Sequence, residues 1–290
     1  MPRQTTLTRR SILAGAAGLG LTAGADPRAS ESGQVEAQAK PPGGPETVVV
    51  GFPIYAGATL LDFAGATQVF AFAASEKISF VPTWLAAQMA PVTTTEGVSV
   101  MPNRTFAGAP MIDVLFVPGG GADGVIAAMF DPVFQRFLTE QASKARWVGS
   151  VCSGAFLLAA AGLIGGCEVT TYWSQLDNLA LLGDKLKLRI AKDCPRSVFD
   201  PMRPRFTGGG VSSSLDLALE LVEKIAVERG LDGKTLAQQA QLSIQYAPKP
   251  HVHAGDPCEA PPALVAAIRK RQEKDLIAPM RQAVRRLLVD

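Results

Sequence analysis

Two stretches constrain the fold more than anything else in the chain: Thr47-Val-Val-Val-Gly-Phe52 and Ile112-Asp-Val-Leu-Phe-Val117. Both are near-continuous apolar runs of strand length. A strand with one wet face alternates apolar and polar residues, whereas a run without that alternation is buried on both faces. Such strands need helices above and below. Apolar residues at helical spacing supply them at Leu61 to Ala74, Gly124 to Lys144, Ala155 to Gly162, Ser212 to Ile225 and Asp232 to Tyr246. Shorter strands are expected at Ile78–Trp84, between Met89 and Met101, at Cys167–Tyr172 and at Arg203–Gly210. Strands alternating with helices predict an α/β fold: a layered, flavodoxin-like, mostly parallel sheet with helices on both faces.

In such a sheet, ligands gather outside the carboxyl ends of the strands. One strand end stands out. Arg146-Trp-Val-Gly-Ser-Val151 stops at Cys152, and Ser153-Gly154 then opens an Ala/Leu-rich helix. A strand turning sharply into a helix lifts the turn residue above the sheet, as serine is lifted in hydrolase nucleophile elbows. For a thiol, the helix N-terminus favours the reactive thiolate. The competing reading is a small buried core cysteine. Asp62 falls at the start of the helix after the first strand, where a first-turn acid or cap is also expected. Val117 runs into Pro118-Gly119-Gly120-Gly121, glycines that permit close backbone approach and offer free N–H donors. Tyr172 and Trp173 end another strand and are read either as a pocket wall or as plain core.

Composition narrows the function classes. The 290 residues carry a net charge of +2, too close to neutral for nucleic acid to be the default partner. The four cysteines (Cys152, Cys167, Cys194, Cys258) have no CxxC spacing, so neither a zinc site nor a disulfide framework is signalled. His251 and His253 are the only histidines and have no evident third ligand. The basic residues of a final helix, Pro262 to Asp290, read as a solvated face. Residues 1–39 differ in kind. Thr8-Arg9-Arg10-Ser11-Ile12-Leu13 precedes an apolar, Gly/Ala-rich stretch to Ala25, with Ala37-Gln38-Ala39 as a cleavage site. This is the pattern of a twin-arginine export signal, too short and glycine-rich for a membrane span. A periplasmic or secreted mature protein without stable membrane anchoring is expected. Residues 40–46 form a linker, 47–260 the α/β domain and 261–290 the C-terminal helix.

Taken together, Gly51-Phe52 with Leu61-Asp62-Phe63-Ala64-Gly65, Val117-Pro-Gly-Gly120, Val151-Cys152-Ser153-Gly154 and Gly210-Val-Ser-Ser-Ser-Leu-Asp-Leu-Ala-Leu219 resemble the DJ-1/PfpI superfamily over about residues 46–260. The chain is most similar to its isocyanide hydratase branch. Asp62 stands where much of the superfamily has Glu, Thr170-Thr171-Tyr172-Trp173 echoes that branch's Thr-Thr-His-Trp, and Gln245-Tyr-Ala-Pro-Lys-Pro250 with Ala254-Gly-Asp-Pro257 matches its C-terminal extension. Ser153 replaces the usual Thr, and Tyr172 the His. Ser153 also stands where protease-like members carry His, which disfavours a peptidase. The short C-terminal helix disfavours a helix-turn-helix regulator.

The resemblance implies hydration of isocyanides to N-substituted formamides, a hydro-lyase reaction needing no cofactor and no metal. Cys152 would be the nucleophile and Asp62 the general acid/base, sharing a proton with the thiol. Backbone N–H groups of Gly120 and Ser153 would stabilise developing charge, and the Ser153 hydroxyl would orient water. Thr171, Tyr172 and Trp173 would wall the pocket of a small-molecule substrate. Superfamily members typically form homodimers. Two other readings of the same fold are a glyoxalase-like enzyme on small aldehydes and a non-catalytic protein whose Cys152 senses oxidation.

Overall fold

A computed structural model describes residues 44–289, so the expected export signal of residues 1–39 and the expected linker up to residue 43 lie outside the described residues. The central sheet has seven strands: β1 (Glu46–Pro53), β2 (Ile78–Ala86), β3 (Arg104–Thr105), β4 (Val114–Val117), β5 (Trp147–Val151), β6 (Ser197–Phe199) and β7 (Arg205–Gly208), in the order β6-β7-β5-β4-β1-β2-β3. All neighbours are parallel except β6, which runs antiparallel to β7 at the edge. Every residue of β4 and β5 is buried, as the unbroken apolar run of β4 predicts.

The helices are α1 (Leu60–Phe72), α2 (Ala122–Phe130), α3 (Pro132–Ala142), α4 (Gly154–Ala160), α5 (Ser213–Glu228), α6 (Gly233–Ser243), α7 (Pro262–Gln272) and α8 (Ala278–Val289). They divide between the two faces of the sheet. Phe63 and Phe70 of α1, Leu221 of α5 and Ala240 of α6 pack with Val50, Phe52, Phe116 and Phe206. Val125 of α2, Phe134 of α3, Phe156 of α4 and Val284 of α8 pack with Leu115, Val117 and Val148. Successive residues of β4 thus serve opposite layers, the two-residue period of a strand.

One glycine makes this packing possible. Gly149 of β5 pairs in register with both Phe116 and Phe206. A Cβ there would stand 2.3 Å from the Phe206 ring, and its absence lets the Phe116 and Phe206 rings meet at 5.2 Å across the strand.

Several elements depart from expectation. The helix expected over Gly124–Lys144 is two helices, because Pro132 cannot continue the first and the Asp131 carboxylate caps the second at Val133 N, 2.8 Å away. The strand expected at Cys167–Tyr172 is only Glu168–Val169, paired with Arg189–Ile190. The Thr170 N–H turns instead to Thr207 Oγ1 at 2.8 Å. Ser212 does not cap α5 with its side chain; its hydroxyl accepts from Arg196. The C-terminal helix is interrupted by a π-turn at Glu273–Ile277, where Asn178 donates to the Ile277 carbonyl at 2.9 Å.

The chain order places the site. From β1 the chain builds outward through β2 and β3, then returns to β4 on the other side of β1. The carboxyl ends of β1 and β4 flank this switch point, with β5 next in line. α1, Gly119-Gly120 and Cys152 follow those three ends. No described helix is long and apolar enough to cross a membrane.

Candidate active site

Cys152 occupies the turn between β5 and α4 with φ of 56°, a left-handed backbone that costs a non-glycine residue about 1 kcal/mol or more. The surroundings hold it there. Its N–H donates to the carbonyls of Gly208 and Gly209 at 3.1 and 2.8 Å, and the Thr171 hydroxyl donates to its carbonyl at 2.8 Å. This is the strained elbow expected from the sequence.

The Gly119-Gly120 loop lies face-on against that elbow. A Cβ on Gly119 would sit 2.9 Å from Cys152 Cβ and 2.6 Å from Ser153 N, and one on Gly154 would meet the Val117 carbonyl at 2.5 Å. These glycines serve close approach. On the other side of Gly119 stands Asp62, which is fully buried and accepts the Gly119 N–H at 2.8 Å through Oδ2. Its Oδ1 is buried without a hydrogen-bond partner. Asp62 is therefore a first-turn acid turned inward, and Gly119 is sandwiched between it and the cysteine. Ser214 of α5 donates to the Leu61 carbonyl at 3.0 Å and Glu96 accepts the Leu60 N–H at 3.0 Å, fixing the first turn of α1 that carries the acid.

Electrostatics follow from burial. Loss of solvent drives the Asp62 pKa up from 3.8 to about 8; the Gly119 N–H pulls it down less strongly, and the Glu96 charge adds to the rise. Cys152, 6% exposed, is also pushed well above an ordinary thiol, first by burial and then by the charge of Asp62. The Ser153 backbone N–H and hydroxyl oppose this without overcoming it. The expectation that the helix start would leave a resting thiolate is thus corrected: desolvation outweighs the donors. The pair holds its protons tightly, and no hydrogen bond joins the Asp62 carboxyl to the sulfur among the described contacts.

The expected anion donors also need revision. Ser153 is 2% exposed, and its hydroxyl bridges both polar atoms of Gly120, accepting from its N–H at 2.9 Å and donating to its carbonyl at 3.0 Å. The Gly120 N–H is thus engaged by Ser153, and the Ser153 hydroxyl braces the loop rather than orienting water. The Ser153 N–H, directed at Cys152, remains as the donor next to the sulfur.

A cavity of about 450 Å³ lies next to the elbow; its walls include neighbours of Cys152 and Asp62 but neither of those two side chains. Thr171, Tyr172 and Trp173 line it, together with Leu61, the neighbour of Asp62, and Gly209, which accepts the Cys152 N–H. α7 packs against two of these wall residues. Gln272 donates to the Tyr172 hydroxyl at 2.9 Å, and the Arg269 guanidinium lies 5.4 Å from the centre of the Trp173 ring. Among the described residues, no group of His, Cys, Asp and Glu could hold a metal, and His251 and His253 are exposed.

The sequence reading passed over Tyr55. Its hydroxyl donates to the Pro118 carbonyl at 3.2 Å, and its phenol is pushed well above 10.0 by burial, then by the charges of Asp62 and Cys152. It is the third titratable group of the buried cluster. Its position just after β1, on the loop leading to Asp62, was the available signal. The sequence points to close approach and a free N–H donor at Gly119; it does not reveal that Asp62 is the acceptor.

This arrangement can be compared with known proteins. The model of the DJ-1/PfpI family matches residues 49–224, three-fifths of the chain and all the site elements from Tyr55 to Gly210. The chain belongs to the DJ-1/PfpI family. Among DJ-1/PfpI relatives, the isonitrile hydratase of Pseudomonas putida is 36% identical over 228 residues, covering 78% of this chain and 91% of that protein. The crystal structure of a THiJ/PfpI family protein from Pseudomonas syringae covers 90% of this chain and 98% of its own, with 30% identity and a TM-score of 0.70. The HTH-type transcriptional regulator GbdR of Pseudomonas aeruginosa is 27% identical over 60% of this chain, which corresponds to 45% of the regulator.

Proposed function

We propose that the protein hydrates isocyanides to N-substituted formamides, with Cys152 as nucleophile and Asp62 as proton donor and acceptor. The observation that carries this reading is the buried Asp62 carboxyl set across Gly119 from the elbow cysteine, with a raised proton affinity. The 36% identity to an isonitrile hydratase over most of both chains supports it.

The chemistry of the substrate matches this inventory. Both new bonds of the first step form at the terminal carbon of R–N≡C, one to sulfur and one to hydrogen. The Cys152 sulfur attacks that carbon while the pair gives it a proton, yielding the thioimidate R–N=CH–S–Cys152. Because sulfur and proton are consumed together, a pair that holds its proton is better suited than a bare thiolate. As water adds to the thioimidate carbon, Asp62 gives its proton to the nitrogen and takes one from the water in exchange. Collapse of this adduct expels R–NH–CHO and returns the thiol. The Ser153 N–H stabilises charge on the sulfur as it leaves, and the apolar rings of Tyr172 and Trp173 receive R. The same proposal takes a homodimer as the working form, which sedimentation would test, and the periplasm or the medium as its place.

The test is turnover of a small alkyl isocyanide by purified protein, with the product identified by mass. Cys152→Ala is expected to abolish formamide production and Asp62→Asn to lower kcat by about 10²–10⁴-fold with folding intact. Hydroxyacid from a dicarbonyl, with no formamide, would replace this reading by the glyoxalase-like one.

A further inference from the structure

The cavity has two rims drawn from distant parts of the chain. One is the loop Cys194-Pro195-Arg196, and the other is Gly255-Asp256-Pro257, followed at once by Cys258. Cys194 is half-buried and Cys258 exposed, and both are free thiols. They are 64 residues apart in sequence (258 minus 194), which is why spacing gave no sign of a pair. Both border one cavity, Cys194 as a lining residue and Cys258 directly after the lining residue Pro257, and the Cys258 side chain lies within hydrogen-bonding reach of the Cys194 thiol, which burial first and then this neighbour push up to about 11. The backbone around Cys194 is unusual: Asp193 and Cys194 both adopt left-handed conformations, with φ of 61° and 48°. Cys258 sits in a turn closed by its own N–H, which donates to Asp256 Oδ1 at 2.8 Å.

We propose that Cys194 and Cys258 form a redox-active dithiol whose disulfide ties the two rims of the cavity together. The oxidant is a low-molecular-weight disulfide, R–S–S–R. The Cys258 thiol, the accessible one, attacks it and loses its proton, releasing one R–SH and leaving Cys258–S–S–R. The Cys194 sulfur then displaces the second R–SH as its own proton departs. In sum, two protein thiols and one R–S–S–R become one protein disulfide and two R–SH. Cys152, recessed in the elbow and 6% exposed, takes no part. The device is separate from the hydration chemistry and stands whether or not isocyanides are the substrate. Its effect is on the rim: the segment carrying Gly255-Asp256-Pro257 becomes fixed to the loop carrying Arg196.

The experiment equilibrates the full chain in glutathione buffers of graded oxidised fraction, blocks free thiols with iodoacetamide and maps the peptides by mass. Loss of two of the four alkylatable thiols is expected, with the Cys194 and Cys258 peptides recovered as one linked species lighter by two hydrogens. The linked species should already predominate where half the glutathione is oxidised. Cys194→Ser and Cys258→Ser are each expected to retain three alkylatable thiols or carry a single glutathione. Unmodified Cys194 and Cys258 across the series, glutathione on Cys258 without the link, or a bridge to Cys152 would each overturn the proposal. The wild-type map alone decides, so a variant that misfolds does not affect the result.

Discussion

Asp62 is a carboxyl whose value to the reaction is a cost to the fold. At pH below 3.8 the group is protonated in folded and unfolded chains alike. As pH rises from there to about 8, the unfolded chain releases the proton while the folded chain keeps it. The folded state then binds more protons, so this group's contribution falls with pH until the buried carboxylate forms near 8. Asp62→Asn removes the titration while leaving an oxygen to accept the Gly119 N–H. Urea unfolding should therefore find the variant gaining on wild type from pH 4 to pH 8, by about 5 kcal/mol at most. A difference that does not change with pH would contradict the raised proton affinity. Cys152 stood out because it sits in a short local pattern, a strand end turning into a helix, whereas Asp62 read locally only as a first-turn acid and was paired with the cysteine through the family resemblance. Tyr55 and the Ser153–Gly120 bridge were not legible, since each depends on how separate strand ends approach one another. The thiolate expectation failed for a related reason: local sequence reveals the helix start but not the depth at which the thiol is buried.

At the scale of elements, the unbroken apolar runs of β1 and β4 were sufficient to predict a buried parallel sheet, and the structure places them side by side. β6 escaped notice because three residues at an antiparallel edge carry almost no periodic signal. The break at Asp131-Pro132 was readable from turn chemistry, but it was masked by apolar spacing that continues in phase across it. Gly149 gives the sharpest test of the packing. Its substitution by Ala pushes a methyl group into the Phe206 ring and carbonyl, the latter 2.2 Å from the added carbon. A loss of about 3 kcal/mol is expected, measured by urea denaturation. An unchanged midpoint would mean that Phe116 and Phe206 do not meet across β5 as described. Asp131→Ala removes the cap of α3 and should cost about 1 kcal/mol in the same assay.

Across the whole molecule, the site is assembled from strand ends on both sides of the chain reversal, with Gly255-Asp256-Pro257 closing one rim of the cavity. That closure explains why the cavity was only partly legible: Tyr172 and Trp173 were visible at a strand end, whereas Arg196, Cys194 and Asp256 reach the rim from distant segments. The export segment makes a separate prediction about where the protein works. Replacing Arg9 and Arg10 together by Lys should hold the full-length chain in the cytoplasm, whereas fractionation of wild type should find a shortened form in the periplasm. Equal periplasmic recovery of both would refute twin-arginine export. The central claim, that a buried Asp62 holds the proton Cys152 chemistry needs, is tested most directly by the pH dependence of kcat/KM for an alkyl isocyanide. The account predicts formamide formation at a level rate up to pH 7, falling with one ionisation near 8 as Asp62 loses its proton. A rate that keeps rising through pH 9, as a simple thiolate nucleophile would give, would contradict it.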